Sequence, residues 1–227
     1  MKFNAVIFDL DGTLADTLED IADNMNRVLL GMGFPPHEYY AYRFFIGAGL
    51  QNLVAQCLPE NARTDAIIAD CHERMVAEYN ANYIIKTRLY DGIPELLDVL
   101  STKGIKMATL SNKADKLTQK ICAELLKNWK FDAIIGYSER FPRKPNPSSS
   151  LFIAQQMGIA PKNICYIGDS DVDMKTAIAA GFYPVGAAWG FRATKELVEN
   201  GAGRVIEYPT DLLKFYGELL RRDANST

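Results

Sequence analysis

The chain has 227 residues, of which 48% are hydrophobic and 23% charged, with a formal net charge of −3. That length and apolar content can bury a sizeable core, as one domain or as a domain carrying an insert. The balance excludes a disordered chain, and it excludes a nucleic-acid binder, whose footprint is basic; the densest basic stretch is the pair Arg221–Arg222.

In chain order, "NAVIF" at residues 4–8 is a short apolar run of the kind that forms a buried strand. From Ala15 to about Lys86 the pattern is helical, with no convincing strand. Ile21, Met25, Val28 and Leu29 recur at helical spacing, Gly31 and Gly33 supply a stop, and "RTDAIIADCHERMVAEYNANY" reads as a second long helix. Strand-like runs then return as "IKMATL", "FDAIIG", "NICYIG", "FYPVGA" and "GRVIE". Helix candidates alternate with them at Ile93 to Lys103, Asp115 to Lys127, Pro147 to Met157, Asp171 to Ala180, Thr194 to Asn200 and Tyr208 to Arg221. This alternation predicts an α/β fold with a parallel sheet covered on both faces, and ligands then bind at the carboxyl ends of the strands. The break in rhythm predicts an all-α insert over residues 15–85, between core segments 1–14 and 86–227.

The four cysteines, Cys57, Cys71, Cys122 and Cys165, form no C-x-x-C pair and no zinc pattern with His37 or His72. They read as buried thiols in a reducing compartment. The N-terminal apolar run is too short for a signal peptide or a membrane span, and Asp9 interrupts it. A soluble cytoplasmic protein with no membrane partner is expected.

The chemistry concentrates at strand ends. Asp9 and Asp11 stand two residues apart where the first strand gives way to "DGT". Residues i and i+2 of a strand share a face, and two ionised carboxylates about 4 Å apart repel by roughly 4 kcal/mol at an effective dielectric near 20. A cation must offset that, or a proton on one of them. Magnesium, which favours one or two carboxylates plus a substrate phosphate, suits the pair. "YIGDSDVDM" repeats the design, with Asp169 just past a strand and Asp171 and Asp173 following. Asp171 reads as the N-cap of the next helix, and Asp173 falls in its first turn. Cations come from Lys144, in a loop stiffened by Pro142, Pro145 and Pro147, and from "ATLSNKAD", where Ser111, Asn112 and Lys113 lie between strand and helix and could bind an anion.

Together, "DLDGT", "LSN", Lys144 and "GDSDVD" resemble the four motifs of the haloacid dehalogenase superfamily, in order and over nearly the whole chain. The resemblance implies a Rossmann-like core, with the helical insert as a mobile cap. It implies Asp9 as nucleophile and Asp11 as the acid that protonates the leaving group and then activates water. It implies Mg²⁺ held by Asp9, the backbone carbonyl of Asp11 and Asp169, with Asp173 in support. Ser111 and Lys144 would hold the phosphoryl oxygens, Asn112 would help with phosphate or cap, and Thr13 would brace the loop. An acid at position 11 favours phosphate esters over halides. A mutase of the superfamily would carry a histidine near Ile21, and none is there.

Within the superfamily, "DTLEDI", "FIGAGLQNLV", "KPNPSSSL" and the segment from Trp189 to Leu213 resemble the phosphoglycolate phosphatase group. That resemblance implies hydrolysis of a small phosphorylated metabolite, with pyrophosphatase or nucleotidase as the alternative. It implies Gly47 and Gly49 in a substrate-specificity loop of the cap, and Arg43 could meet a substrate carboxylate bidentately. Trp189 and Phe191 read as packing residues without chemistry. Substrate identity and oligomeric state stay open at this level.

Overall fold

The structure is a computed structural model that describes residues 3–214. Its centre is a six-stranded parallel sheet of β1 (Ala5–Phe8), β4 (Lys106–Ala114), β5 (Ala133–Tyr137), β6 (Ile164–Gly168), β7 (Tyr183–Ala187) and β8 (Arg204–Ile206), in the order β5-β4-β1-β6-β7-β8. Every residue of β1 is buried, as expected of a strand covered on both faces. Alternation assigns the two faces: Val6 and Phe8 join one apolar core, Ala5 and Ile7 the other. The second core is closed by Ile153, Ala154 and Met157 of α7 (Ser148–Met157) and by Ala177 and Ala180 of α8 (Asp171–Ala180). The first is closed by α5 (Ile93–Thr102) and α6 (Asp115–Leu125), while α9 (Thr194–Glu199) contacts the β7–β8 edge.

The chain runs outward from β1 to β4 and β5, then returns to the other side of β1 as β6. Connections therefore diverge at the carboxyl end of β1, which opens a crevice there. Phe8 is level with Thr109 of β4 and with Ile167 of β6, so Asp9 emerges beside the ends of both neighbours. β4 shifts register between Leu110 and Ala114, and this irregular end carries Ser111, Asn112 and Lys113.

Between β1 and β4 the chain forms α1 (Leu18–Gly31), α2 (Tyr39–Phe45), α3 (Leu50–Cys57) and α4 (Asp65–Ala81). The stripe Ile21, Met25, Val28 and Leu29 of α1 is buried and belongs to the first core, with Cys71, Met75 and Tyr79 of α4. The helical layer is tied to the sheet by a feature that the sequence pattern did not disclose. Residues Ala15–Asp16 (β2) and Arg88–Leu89 (β3) pair antiparallel as a two-residue ribbon, too short to show any periodicity. Beside it, the buried carboxylate of Asp20 accepts hydrogen bonds from the backbone N–H groups of Lys86 (3.0 Å) and Thr87 (2.8 Å).

The remaining strands and helices follow the expected alternation, with ends within two residues of the pattern except for β4, which runs to Ala114, four residues past the expected "IKMATL" run. The helix expected over Tyr208 to Arg221 runs outside the described residues, as does the Arg221–Arg222 pair. All four cysteines are free and buried. No helix among the described residues is long and apolar enough to cross a membrane.

Candidate active site

Asp9 is the first residue beyond β1, fixed by its N–H bond to the Ile167 carbonyl (2.9 Å). Around it lies a buried charge cluster. Lys144, 6% exposed, donates from Nζ to Asp9 Oδ1 (2.9 Å), Asp173 Oδ1 (2.7 Å), the Leu110 carbonyl (3.1 Å) and the Tyr166 hydroxyl (3.1 Å). Asp9, Asp169 and Asp173 are all buried, with carboxylate oxygens within 4.8 Å of one another. One lysine thus pairs directly with two of the three clustered acids. Burial, reinforced by the Asp173 charge, pushes the Asp9 carboxyl up to about 7 against the pull of Lys144. Burial, with Asp173 and Asp9 nearby, likewise lifts Asp169 well above the usual carboxylate range. Burial alone would lower Lys144, but Asp173 and Asp9 raise it well above its ordinary value, so it stays charged.

Close backbone approach makes room for the acids. A Cβ on Gly12, whose φ is +83°, would come 2.3 Å from Asp169 Oδ2, and a Cβ on Gly168 would come 2.2 Å from the Asp173 Cβ. Asp169 Oδ2 accepts the Phe191 N–H (2.6 Å). Asp173 has both oxygens engaged, Oδ1 by Lys144 and Oδ2 by Ser170 N (3.1 Å) and Ser170 Oγ (2.6 Å). Those last bonds form a capping box, so Ser170 is the N-cap of α8, and Asp171, expected there, is its first helical residue. The serine takes the cap because Asp173 at the third helical position reaches back to its N–H.

Asp11 faces a separate partner set. Its Oδ1 accepts from Lys113 Nζ (2.7 Å) and from Thr17 Oγ1 (2.7 Å). Lys113 is almost buried, and its ammonium is held above its ordinary value by Asp11 and Tyr79 despite the desolvation. The two carboxylates that the sequence sets side by side are therefore held by two different lysines.

Ser111, Asn112 and Lys113 lie in the irregular end of β4, ahead of α6, rather than in a helix-start loop. Asn112 uses its whole amide on protein: Nδ2 donates to the carbonyls of Gly47 (3.0 Å) and Lys144 (3.2 Å), and Oδ1 accepts the Lys144 N–H (2.8 Å). It fixes the Lys144 loop and joins it to the α2–α3 loop. Ser111 Oγ accepts only the Lys113 N–H (3.2 Å) among the described residues, and Ser111 lines the pocket.

That pocket has a polar floor of Asp9, Asp11, Ser111, Lys113, Lys144 and Asp169. Ile21, Ile46, Leu50, Leu53 and Tyr79 of the helical layer, with Gly47 and Gly49, form the opposite wall. Two expected site residues stand elsewhere. Arg43 does not line the pocket; it donates to the carbonyls of Phe191 (3.0 Å) and Gly190 (2.6 Å), joining α2 to the loop after β7. Thr13 is buried away from the pocket, its hydroxyl without a partner among the described residues and its carbonyl accepting the Trp189 indole N–H (3.0 Å).

Several participants carried no local signal. Arg192 lines the pocket and donates to the carbonyls of Arg43, Phe44 (3.2 Å) and Ile46 (3.1 Å), answering Arg43 from the opposite side. Phe191 and Trp189 contribute through backbone N–H and indole N–H, whereas the sequence suggested packing alone. The carboxyl-end rule applied to β7, the neighbour of β6, was the available clue. Tyr79 and Tyr166, buried aromatics inside regular elements, offered none.

Comparison with known proteins gives the family. Residues 6–187 match the family model of haloacid dehalogenase-like hydrolases. The chain is 31% identical to phosphoglycolate phosphatase of Aquifex aeolicus, over 92% of this chain and 94% of that one. It is also 31% identical to phosphoglycolate phosphatase of Pseudomonas putida, over 89% and 75% respectively. Among solved structures, a predicted phosphoglycolate phosphatase from Haemophilus somnus superposes with a TM-score of 0.86 at 26% identity, covering 95% of this chain and 98% of that one. Sequence, sheet topology and relatives converge: the chain belongs to the haloacid dehalogenase-like hydrolase family.

Proposed function

We propose that the protein is a Mg²⁺-dependent phosphomonoesterase of small phosphorylated metabolites, acting through a phospho-aspartate on Asp9. The observation that carries this reading is the separation of the two acids, Asp9 on Lys144 at 2.9 Å and Asp11 on Lys113 at 2.7 Å. Two carboxylates in different environments can take different roles.

In the first step an Asp9 oxygen attacks phosphorus. The bond from phosphorus to the ester oxygen breaks, and the leaving alkoxide takes a proton from Asp11. In the second, water attacks the acyl phosphate, Asp11 takes its proton, and inorganic phosphate leaves with Asp9 restored. Lys144 and Ser111 line the floor from which they would hold phosphoryl oxygens and offset their charge.

The donor set suits a divalent cation. Lys144 occupies one Asp9 oxygen and the Phe191 N–H one Asp169 oxygen, leaving the second oxygen of each for an ion. Both oxygens of Asp173 are committed to protein donors, which suits it to support rather than ligation. A bound Mg²⁺ would supply charge neutralisation, allowing an anion to approach a phosphate dianion. The Arg43 and Arg192 bonds support residues 15–85 acting as a cap that closes on core segments 1–14 and 86–227.

Phosphoglycolate is the first substrate to try, given the names of the relatives. The test is phosphate release from phosphoglycolate, sugar phosphates, nucleoside monophosphates and pyrophosphate, with and without Mg²⁺. Mg²⁺-dependent release from monoesters supports the reading. Preference for pyrophosphate supports the anhydride alternative, and no release from any ester refutes the phosphatase assignment.

A further inference from the structure

The wall of the pocket opposite the acids is apolar, formed by Ile21, Ile46, Leu50 and Leu53. One polar atom interrupts it. Tyr79 of α4 is 3% exposed, and its hydroxyl makes no hydrogen bond with any described residue. Native proteins rarely leave a buried hydroxyl unpaired, because the desolvation goes uncompensated. The nearby cation does not fill the gap on the donor side. Lys113 Nζ sits over the ring, 4.9 Å from its centroid, and donates to Asp11; an ammonium can donate toward the phenol oxygen but cannot accept, so the O–H proton is left without an acceptor among the described residues. Burial pushes the phenol up to about 12, so it remains an O–H donor across the neutral range. Tyr79 lines the same pocket as Asp11 and Lys113, so a leaving group that takes its proton from Asp11 lies in the pocket that Tyr79 walls.

Resting on the phosphomonoesterase reading above, we infer that Tyr79 is a specificity residue whose O–H donates to an oxygen acceptor carried by the leaving group. The substrate class is then a small phosphomonoester with a short carbon skeleton against the apolar wall and an oxygen acceptor for Tyr79. Phosphoglycolate belongs to that class. So does 2-hydroxyethyl phosphate, whereas n-propyl phosphate, of nearly the same size, does not.

The test compares kcat/KM for 2-hydroxyethyl and n-propyl phosphate in wild-type and Tyr79→Phe protein with Mg²⁺. The preference ratio, hydroxyethyl over propyl, falls about tenfold in Tyr79→Phe, the effect of leaving one buried acceptor unpaired. Tm does not fall, because no protein acceptor loses a donor and Lys113 keeps its bond to Asp11. An unchanged ratio, an equal loss on both esters, or a lowered Tm overturns the inference. Calorimetric binding of the two esters to Asp9→Asn and to Asp9→Asn/Tyr79→Phe repeats the comparison without turnover. Failure of every ester to release phosphate counts against the phosphatase reading, and failure of the binding ratio to move counts against Tyr79.

Discussion

Replacing Lys144 with methionine removes the one lysine of the acid cluster and keeps much of its volume. At 2.9 and 2.7 Å from Asp9 and Asp173, each pair represents about 6 kcal/mol of Coulomb attraction at an effective dielectric near 20. The net loss is smaller, because the buried lysine also carries a desolvation cost and the acids can take up protons instead. Breaking a buried pair from one side costs about 3–5 kcal/mol. The proton escape sets the pH dependence. Asp9 already has its carboxyl raised to about 7, so at pH 5 it is mostly neutral and has less need of the lysine. Lys144→Met should therefore lose about 3–5 kcal/mol at pH 8 in chelator and clearly less at pH 5. Denaturant unfolding at both pH values, fitted with a common m-value, measures this. An equal loss at both, or none at pH 8, would mean that Lys144 does not neutralise the cluster, and the electrostatic account would fall.

The same raised carboxyl has a consequence for Asp9 itself. An acid whose folded pKa lies above its unfolded value contributes stability that is complete below the unfolded pKa, 3.8, and is lost as pH rises through about 7. Metal-free Asp9→Asn should thus gain on wild type by up to about 4 kcal/mol between pH 4 and pH 8, and a stability difference that ignores pH would contradict this. Asp11→Asn should lower kcat on alkyl phosphates by about 10²–10⁴-fold. With p-nitrophenyl phosphate, whose leaving group needs no proton, it should accumulate phospho-enzyme; normal hydrolysis of that species would confine Asp11 to the first step. Arg43→Ala removes two hydrogen bonds between α2 and the loop after β7, so KM should rise about tenfold for every ester and proteolysis in the helical layer should quicken. A loss confined to carboxylate-bearing substrates would restore Arg43 to substrate binding.

The core was legible because its signals are local. Six apolar runs separated by helical periods determine a parallel sheet, and acids at the ends of the first and the "NICYIG" runs mark its active edge. The ribbon of Ala15–Asp16 with Arg88–Leu89 was not legible, since two residues cannot display a period. Capping at Ser170 was misassigned by one residue because Asp171 and Ser170 are both good cap formers, and only the reach of Asp173 decides between them. The helical wall was read least well. Arg43 has the composition of an anion ligand, yet its partners, the carbonyls of Gly190 and Phe191, lie far along the chain. Tyr79 looks like any core aromatic until its O–H is found without an acceptor among the described residues.

The central claim is that Asp9 carries the phosphoryl group. Acid-quenched protein, caught during turnover of a reactive ester with Mg²⁺, can be reduced with borohydride, which converts an aspartyl phosphate to homoserine. Peptide mapping should find homoserine at position 9 alone, and none in Asp9→Asn protein. A mark at Asp11 or elsewhere, or steady phosphate release with no mark at all, would contradict the account.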